Sequence, residues 1–273
     1  MKIIFIGDIV GRSGRDALAK YIPLIKNDFE PDAIIVNSEN AAAGYGLTKK
    51  IAEEIFSLGV DVITLGNHAW DQREMLSYIE EKNNIIRPAN YPKTVPGKGE
   101  INIQLKNGKN ILVIQIMLRL FMNMALDDPF SCADKILQSN SLGKSTNAIL
   151  IDMHGEASSE KQSFGHFVDG RVTAVLGTHT HIPTADGRIL SNKTAYQTDV
   201  GMTGDYNSVI GFQKEGPVYQ FVHGYRQEGR FKVAEKEAIL CGTFVESDDE
   251  TGLAKKIVMI HYGNKPSFYG NLP

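Results

Sequence analysis

Between residues 2 and 82 the chain alternates three times between a short apolar run and a stretch with helical spacing, and few folds accept that rhythm. Residues 2–7, 33–37 and 62–65 are rich in Ile, Val and Phe and lack a regular polar alternation. Such strands are buried on both faces, and in a β-α-β-α order they predict a parallel sheet covered by helices. The segments 16–29, 48–58 and 71–82 supply the helices. Leu18, Tyr21, Ile22 and Ile25 share one face of the first, and Thr48 is placed to cap the second. From residue 101 the pattern changes. Runs at 101–105 and 111–116 flank Lys106-Asn107-Gly108-Lys109, where Asn-Gly signals a hairpin. A helix over 129–142, a strand over 148–152 and a helix over 158–166 follow. The remainder (173–176, 194–198, 218–222, 232–244 and 254–260) reads as mostly strand. No repeat or linker-like stretch intervenes, so one domain over residues 1–273 is the economical expectation.

With 42% hydrophobic and 22% charged residues the chain can build a packed core. A formal charge of −3, with no long Lys/Arg run, argues against a stable nucleic-acid complex, which needs a concentrated basic face. The two cysteines, Cys132 and Cys241, form no CxxC pair and suit a reducing compartment. The apolar start is broken by Asp8 and lacks a signal-peptide cleavage pattern. The run 111–126 carries Gln115, Arg119 and Asn123, and falls short of the roughly 20 uncharged residues of a membrane span. A cytoplasmic protein without membrane association is expected.

The chemistry sits where the apolar runs stop. IIFIGD ends in Asp8, AIIVNSEN in Glu39 and Asn40, VITLGNH in Asn67 and His68, AILIDMH in Asp152 and His154, and TAVLGTHTH in His179 and His181. Ligands of open α/β sheets bind beyond the carboxyl ends of the strands. One such ending is ordinary turn chemistry; five in one chain can converge on a single point. In extended backbone His179 and His181 would project to the same side, and imidazole suits iron, zinc or manganese better than magnesium or calcium. Other metal and phosphate signatures are missing. The sequence has no HExxH, no P-loop ending in Lys-Ser/Thr, no GxGxxG and no GxSxG. Among the other polar residues, Asp152 has either an imidazole-orienting or a structural role. His166, His223 and His261 are ordinary histidines, and Arg12, Arg15 and Lys161 default to solvated charge.

Asp8 after a strand, Gly66-Asn67-His68, the single His154 and the closing His179-Thr180-His181 resemble the calcineurin-like metallophosphoesterases. GDIVGRSGR, NSENAAAGYGLT, TLGNHAWD, DMHGEASSEK, GTHTHIPTAD and YQTDVGMTG are similar to the YmdB-type branch, the 2′,3′-cyclic-nucleotide 2′-phosphodiesterases. The resemblance implies an α/β sandwich: two mixed β-sheets packed face to face and flanked by helices. It also implies two metal ions, iron first, with manganese or zinc as alternatives. Asp8, Glu39, Asn40 and His181 would hold one ion. Glu39, Asn67, His154 and His179 would hold the second, with Glu39 bridging. Two features depart from the branch. Gln115-Ile116-Met117-Leu118-Arg119 stands where Asn-Leu-x-Gly-Arg is usual, and Gly155 stands where Ala is common.

Two carboxylates set against two divalent ions leave such a centre net positive, even with a hydroxide bound, so it attracts a phosphodiester. The mechanism expected is attack of a metal-bridging hydroxide on phosphorus, with His68 as general acid. The expected substrate is a small phosphate ester, a 2′,3′-cyclic nucleotide. Alternatives are a phosphomonoesterase, another cyclic-nucleotide phosphodiesterase, or a regulatory metal- or nucleotide-binding protein with negligible turnover. A homo-oligomer is compatible with the sequence.

Overall fold

The computed structural model describes residues 1–263. Strand β1 (Lys2–Ile6) is followed by β2 (Asp8–Ile9), α1 (Gly11–Phe29), β3 (Ala33–Asn37), α2 (Lys49–Ser57), β4 (Val62–Thr64), α3 (Met75–Glu81) and β5 (Ile85–Ile86). The middle of the chain gives β6 (Glu100–Gln104), β7 (Asn110–Met117), α4 (Pro129–Ser139), β8 (Ala148–His154), α5 (Ser158–Phe167) and β9 (Ala174–Thr178). Then come β10 (Arg188–Ile189), β11 (Ala195–Gln197), β12 (Met202–Asp205), α6 (Glu215–His223), β13 (Ala238–Ser247) and β14 (Ala254–Tyr262). One sheet has the order β2-β12-β13-β1-β3-β4-β5, with β14 against β13; the other runs β10-β11-β9-β8-β7-β6. Both are mixed. β1, β3, β4 and β5 are parallel and β13 antiparallel to β1, while β7, β8, β9 and β11 are parallel and β6 antiparallel to β7.

The two-residue period of a strand divides the core into layers. Ile4, Ile6, Ile34, Val36 and Ile63 face Leu18, Ile22 and Ile25 of α1, Ile51 and Ile55 of α2 and Met75 and Tyr78 of α3. Their alternates Ile3, Phe5, Ile35 and Val62 pack between the sheets against Ile111, Val113, Leu150 and Leu176. On the far side Leu112, Ile114, Ile149, Ile151 and Val175 meet Ala133, Leu137 and Phe164 of α4 and α5. Burial on both faces is why these strands carry continuous apolar runs. No helix among the described residues is long and apolar enough to cross a membrane.

The hairpin forms at the Asn-Gly turn, where Gly108 has φ 82° and donates to the Leu105 carbonyl. The Thr48 side chain accepts from the Ile51 amide at 3.3 Å, as a cap does. Four elements differ from expectation, one of them β13, which starts at Ala238 rather than at residue 232. Helix α1 starts at Gly11 rather than Asp16, because Gly14 lets its first turn lie against β12; a Cβ there would fall 2.2 Å from the Thr203 carbonyl oxygen. Helix α3 starts only at Met75, since Asp71 and Gln72 are engaged with His68 and with the Tyr45 carbonyl. Residues 218–222, read as a strand, belong to helix α6. Pro217 fits its first turn and Gly224, at φ 76°, closes it.

Candidate metal centre

The carboxyl ends of β1, β3, β4, β8 and β9 open on one side of the sandwich, and the residues named from sequence meet there. Among the described residues Glu39, His154 and His179 form a group whose ligand atoms all lie within 4.8 Å of one another. His154 Nε2 lies 3.1 Å from Glu39 Oε1 and 2.8 Å from Asn67 Oδ1. Beside this trio Asn40 Nδ2 is 3.5 Å from Glu39 Oε1 and 3.1 Å from His181 Nε2, which in turn is 3.8 Å from Asp8 Oδ1. Glu39 therefore stands between two sets of donors. A half-turn of the Asn40 amide would present its oxygen in place of its nitrogen.

Two histidines have their tautomers set by partners behind them. The Thr178 hydroxyl donates to Asp152 Oδ1 at 2.6 Å, so it accepts from His154 Nδ1 at 2.9 Å. The Ile210 carbonyl accepts from His181 Nδ1 at 2.8 Å. In both rings Nε2 is left to face the centre, the usual preparation of a metal-binding imidazole. Asp152 thus acts on His154 through Thr178. Its second oxygen also accepts from Asn37, Thr64 and Gln115, so the orienting and structural roles coincide.

The electrostatics fit a cation. Asp8 is fully buried, and its Oδ1 has no hydrogen-bond partner. Burial raises that carboxyl to about 6, despite the nearby His181 and His154. Burial also works against an ionised Glu39, but His154 and the His68 amide outweigh it and hold the carboxyl down at about 2. Burial opposes an imidazolium at His154, yet Glu39, Asp8 and Asp152 raise it to about 9. Burial, followed by the His154 charge, pushes His179 down to about 3. A proton on His154 thus occupies the place between Glu39 and Asn67 that a metal ion would take, and His179 is already the neutral imidazole a metal requires.

The backbone is bent to bring these groups in. His179 (φ 97°) and His181 (φ 66°) are both left-handed, as are Ala43, Phe121, Asn123 and Ile210 in the surrounding loops. The extended backbone expected for His179-Thr180-His181 is not what forms. Non-glycine residues in this region cost on the order of 1–3 kcal/mol each and concentrate at functional sites. The His179 amide is used as well, donating to Asp8 Oδ2 at 3.2 Å. Gly66 is needed for a different reason: a Cβ there would lie 2.4 Å from Glu39 Oε2 and 2.5 Å from His154 Nε2.

His68 stands at the rim. Its amide donates to Glu39 Oε2 at 2.8 Å, Asp71 Oδ2 accepts from its Nδ1 at 3.0 Å, and Tyr45 packs edge-on against its ring at 5.5 Å. Asp71 was not singled out from sequence, although an acid three residues after a histidine in one turn is a usable signal. Lys161, read as solvated charge, is fully buried, with its Nζ on Asp199 Oδ2 at 2.8 Å. Arg15 is not a free cation either; it pairs with Glu54 at 3.2 Å.

The two departures from the branch pattern touch each other. A Cβ at Gly155 would lie 2.7 Å from Leu118 Cβ, so the Leu118 side chain leaves room for glycine alone at 155. Gln115, in place of the usual Asn, accepts from the Leu65 amide at 2.9 Å and donates to Asp152.

Comparison with known proteins agrees with this architecture. The chain is 45% identical over 269 residues to a Bacillus subtilis protein named 2′,3′-cyclic-nucleotide 2′-phosphodiesterase, covering 98% of this chain and 100% of that one. It is 35% identical to a putative phosphatase/phosphodiesterase of Mycoplasma genitalium, covering 95% and 92%. A Thermus thermophilus structure described as a hypothetical protein superimposes with a TM-score of 0.89 at 38% identity, covering 97% and 100%. A structure described as a novel phosphatase of Mycoplasma pneumoniae does so with 0.89 at 32%, covering 96% and 93%. The model of the YmdB-like protein family matches residues 4–260, and the chain belongs to that family.

Proposed function

We propose that this protein is a dinuclear-metal phosphodiesterase that hydrolyses 2′,3′-cyclic nucleotides. The observation that carries this reading is the gathering of Asn40, Asn67, His154 and His179 about Glu39, with the buried Asp8 Oδ1, which has no hydrogen-bond partner, 3.8 Å from His181 Nε2 beside them. Asp8, Glu39, Asn40 and His181 would hold one ion, and Glu39, Asn67, His154 and His179 the other. The mixed oxygen and imidazole donors suit iron, manganese or zinc. When bound, two ions supply Lewis acidity and lower the pKa of a water nucleophile. The protein's own residues do the rest. The Asp71 carboxylate orients the His68 ring from Nδ1, leaving Nε2 to pass a proton to the departing alkoxide. Tyr45 closes the other side of that ring. The name of the Bacillus subtilis relative supports the cyclic ester as substrate. The free thiols of Cys132 and Cys241 are consistent with a cytoplasmic location.

The test is hydrolysis of 2′,3′-cyclic AMP, 3′,5′-cyclic AMP and p-nitrophenyl phosphate by metal-reconstituted protein. His68→Ala should lower the rate on the cyclic ester by about 10²–10⁴-fold while metal stays bound. Glu39→Ala should lose metal and activity together. Preference for p-nitrophenyl phosphate would favour a phosphomonoesterase; the Mycoplasma genitalium relative is named a putative phosphatase/phosphodiesterase and the Mycoplasma pneumoniae structure a novel phosphatase. Two bound ions with no turnover of any ester would overturn the enzymatic reading.

A further inference from the structure

Helix α5 runs beneath the turn that carries His179 and His181, and it sends a lysine into the interior. Lys161 has no solvent exposure, and its Nζ donates to the Thr178 carbonyl at 2.7 Å and to Asp199 Oδ2 at 2.8 Å. Asp199, equally buried, accepts the Thr180 amide on the same Oδ2 at 3.1 Å and the Gly201 amide on Oδ1 at 2.9 Å. Its own amide donates to Thr184 Oγ1 at 2.9 Å. The pair thus grips the carbonyl just before His179 and the amide between the two histidines, the segment where both are left-handed.

A buried ion pair is weak evidence for stability; well-packed apolar residues of similar volume often serve as well or better. What distinguishes this pair is where its bonds end. Two of the three groups that Lys161 and Asp199 hold together lie within the run from Thr178 to Thr180. Left-handed backbone at adjacent ligands persists only when its surroundings over-determine it.

We propose that Lys161 and Asp199 are positioning residues that lock the His179-Thr180-His181 turn in the conformation that brings both imidazoles to the cation centre. The inference rests on the metal-centre reading above. Neither residue is among the seven donors named above. Both act through the backbone that carries the ligands, and groups that orient ligands in this way typically change metal affinity about 10–100-fold when altered.

The test is Mn²⁺ titration of the metal-stripped full chain, with free ion followed by electron paramagnetic resonance. Lys161→Met should weaken Mn²⁺ binding about 10–100-fold. Asp199→Asn keeps the side-chain shape and an amide acceptor while removing the charge, and should also weaken binding, by about tenfold. It carries the test if Lys161→Met fails to fold. Phe164→Leu, a core change on the same helix, should lower thermal stability and leave Mn²⁺ affinity unchanged. Wild-type affinity in the folded pair variants would overturn the inference, as would an equal loss in Phe164→Leu. A wild-type chain that takes up none of Mn²⁺, Fe²⁺ and Zn²⁺ would instead sink the metal-centre reading itself, and this inference with it.

Discussion

Gly155→Ala adds one methyl group next to His154, and the structure says what it would strike. The new Cβ would lie 2.7 Å from Leu118 Cβ and 3.0 Å from Leu118 Cγ and Cδ1. Ordinary carbon contacts are about 3.5–4.0 Å, so the overlap approaches an ångström. The nearest atom is a Cβ fixed to the backbone, and no rotamer of Leu118 relieves it. Gly155 is not in the left-handed region, so alanine meets no backbone penalty and restricts the unfolded chain, a gain of about 0.4–1 kcal/mol. Overpacking of a filled core costs about 1–3 kcal/mol. Set against each other, the two ranges leave a net loss of about 0–2.6 kcal/mol, centred on about 1.3 kcal/mol. In a Leu118→Gly background the clash is gone, and the same methyl should be neutral or stabilising. Urea denaturation of wild type, both single variants and the double variant gives the coupling directly, expected at about 1–3 kcal/mol. Leu118 also donates its amide to the His154 carbonyl at 2.8 Å, so metal affinity should fall in the Gly155→Ala single variant and recover in the double. Additivity within about 0.5 kcal/mol would refute the reasoning and leave the two departures from the family pattern unrelated.

Other outcomes follow from the same geometry. Thr178→Val removes the group that fixes the His154 tautomer, and should weaken metal binding about 10–100-fold with the fold retained by circular dichroism. Gly66→Ala should abolish metal uptake, measured by elemental analysis, because its Cβ would overlap both Glu39 and His154. Burial pushes Cys132 up to about 11 and Cys241 up to about 12. Both thiols are therefore neutral at about pH 8 and should alkylate slowly, the rate rising with pH as thiolate forms. The partly exposed Cys132 should react first, and Cys241 only on unfolding.

The parallel strands were legible because burial on both faces forces continuous apolar runs, and the candidate donors were legible because they stop those runs. Asp8, Glu39, Asn67 and His154 needed no more than that. What escaped were contacts made across the fold. Lys161 looked like surface charge because its carboxylate partner lies 38 positions away. Thr178 was passed over because its role exists only once β8 and β9 are paired. Helix α6 read as a strand because Val218, Phe221 and Val222 suit either state, and in the helix Phe221 and Val222 are left exposed. The left-handed turn at His179 had no local signal, since glycine is the residue that normally announces one.

The order of the strands fixes when the candidate donors can first meet. The donors are spread from residue 8 to residue 181, across both sheets, so no fragment emerging early in synthesis contains a complete centre. A central piece arrives later still: β13, at Ala238–Ser247, inserts between β12 and β1, in the middle of the sheet that positions Asp8. The full donor set therefore comes together only when nearly the whole sequence is available. A cation held by these donors would then be taken up late, as a clasp between two layers already in place.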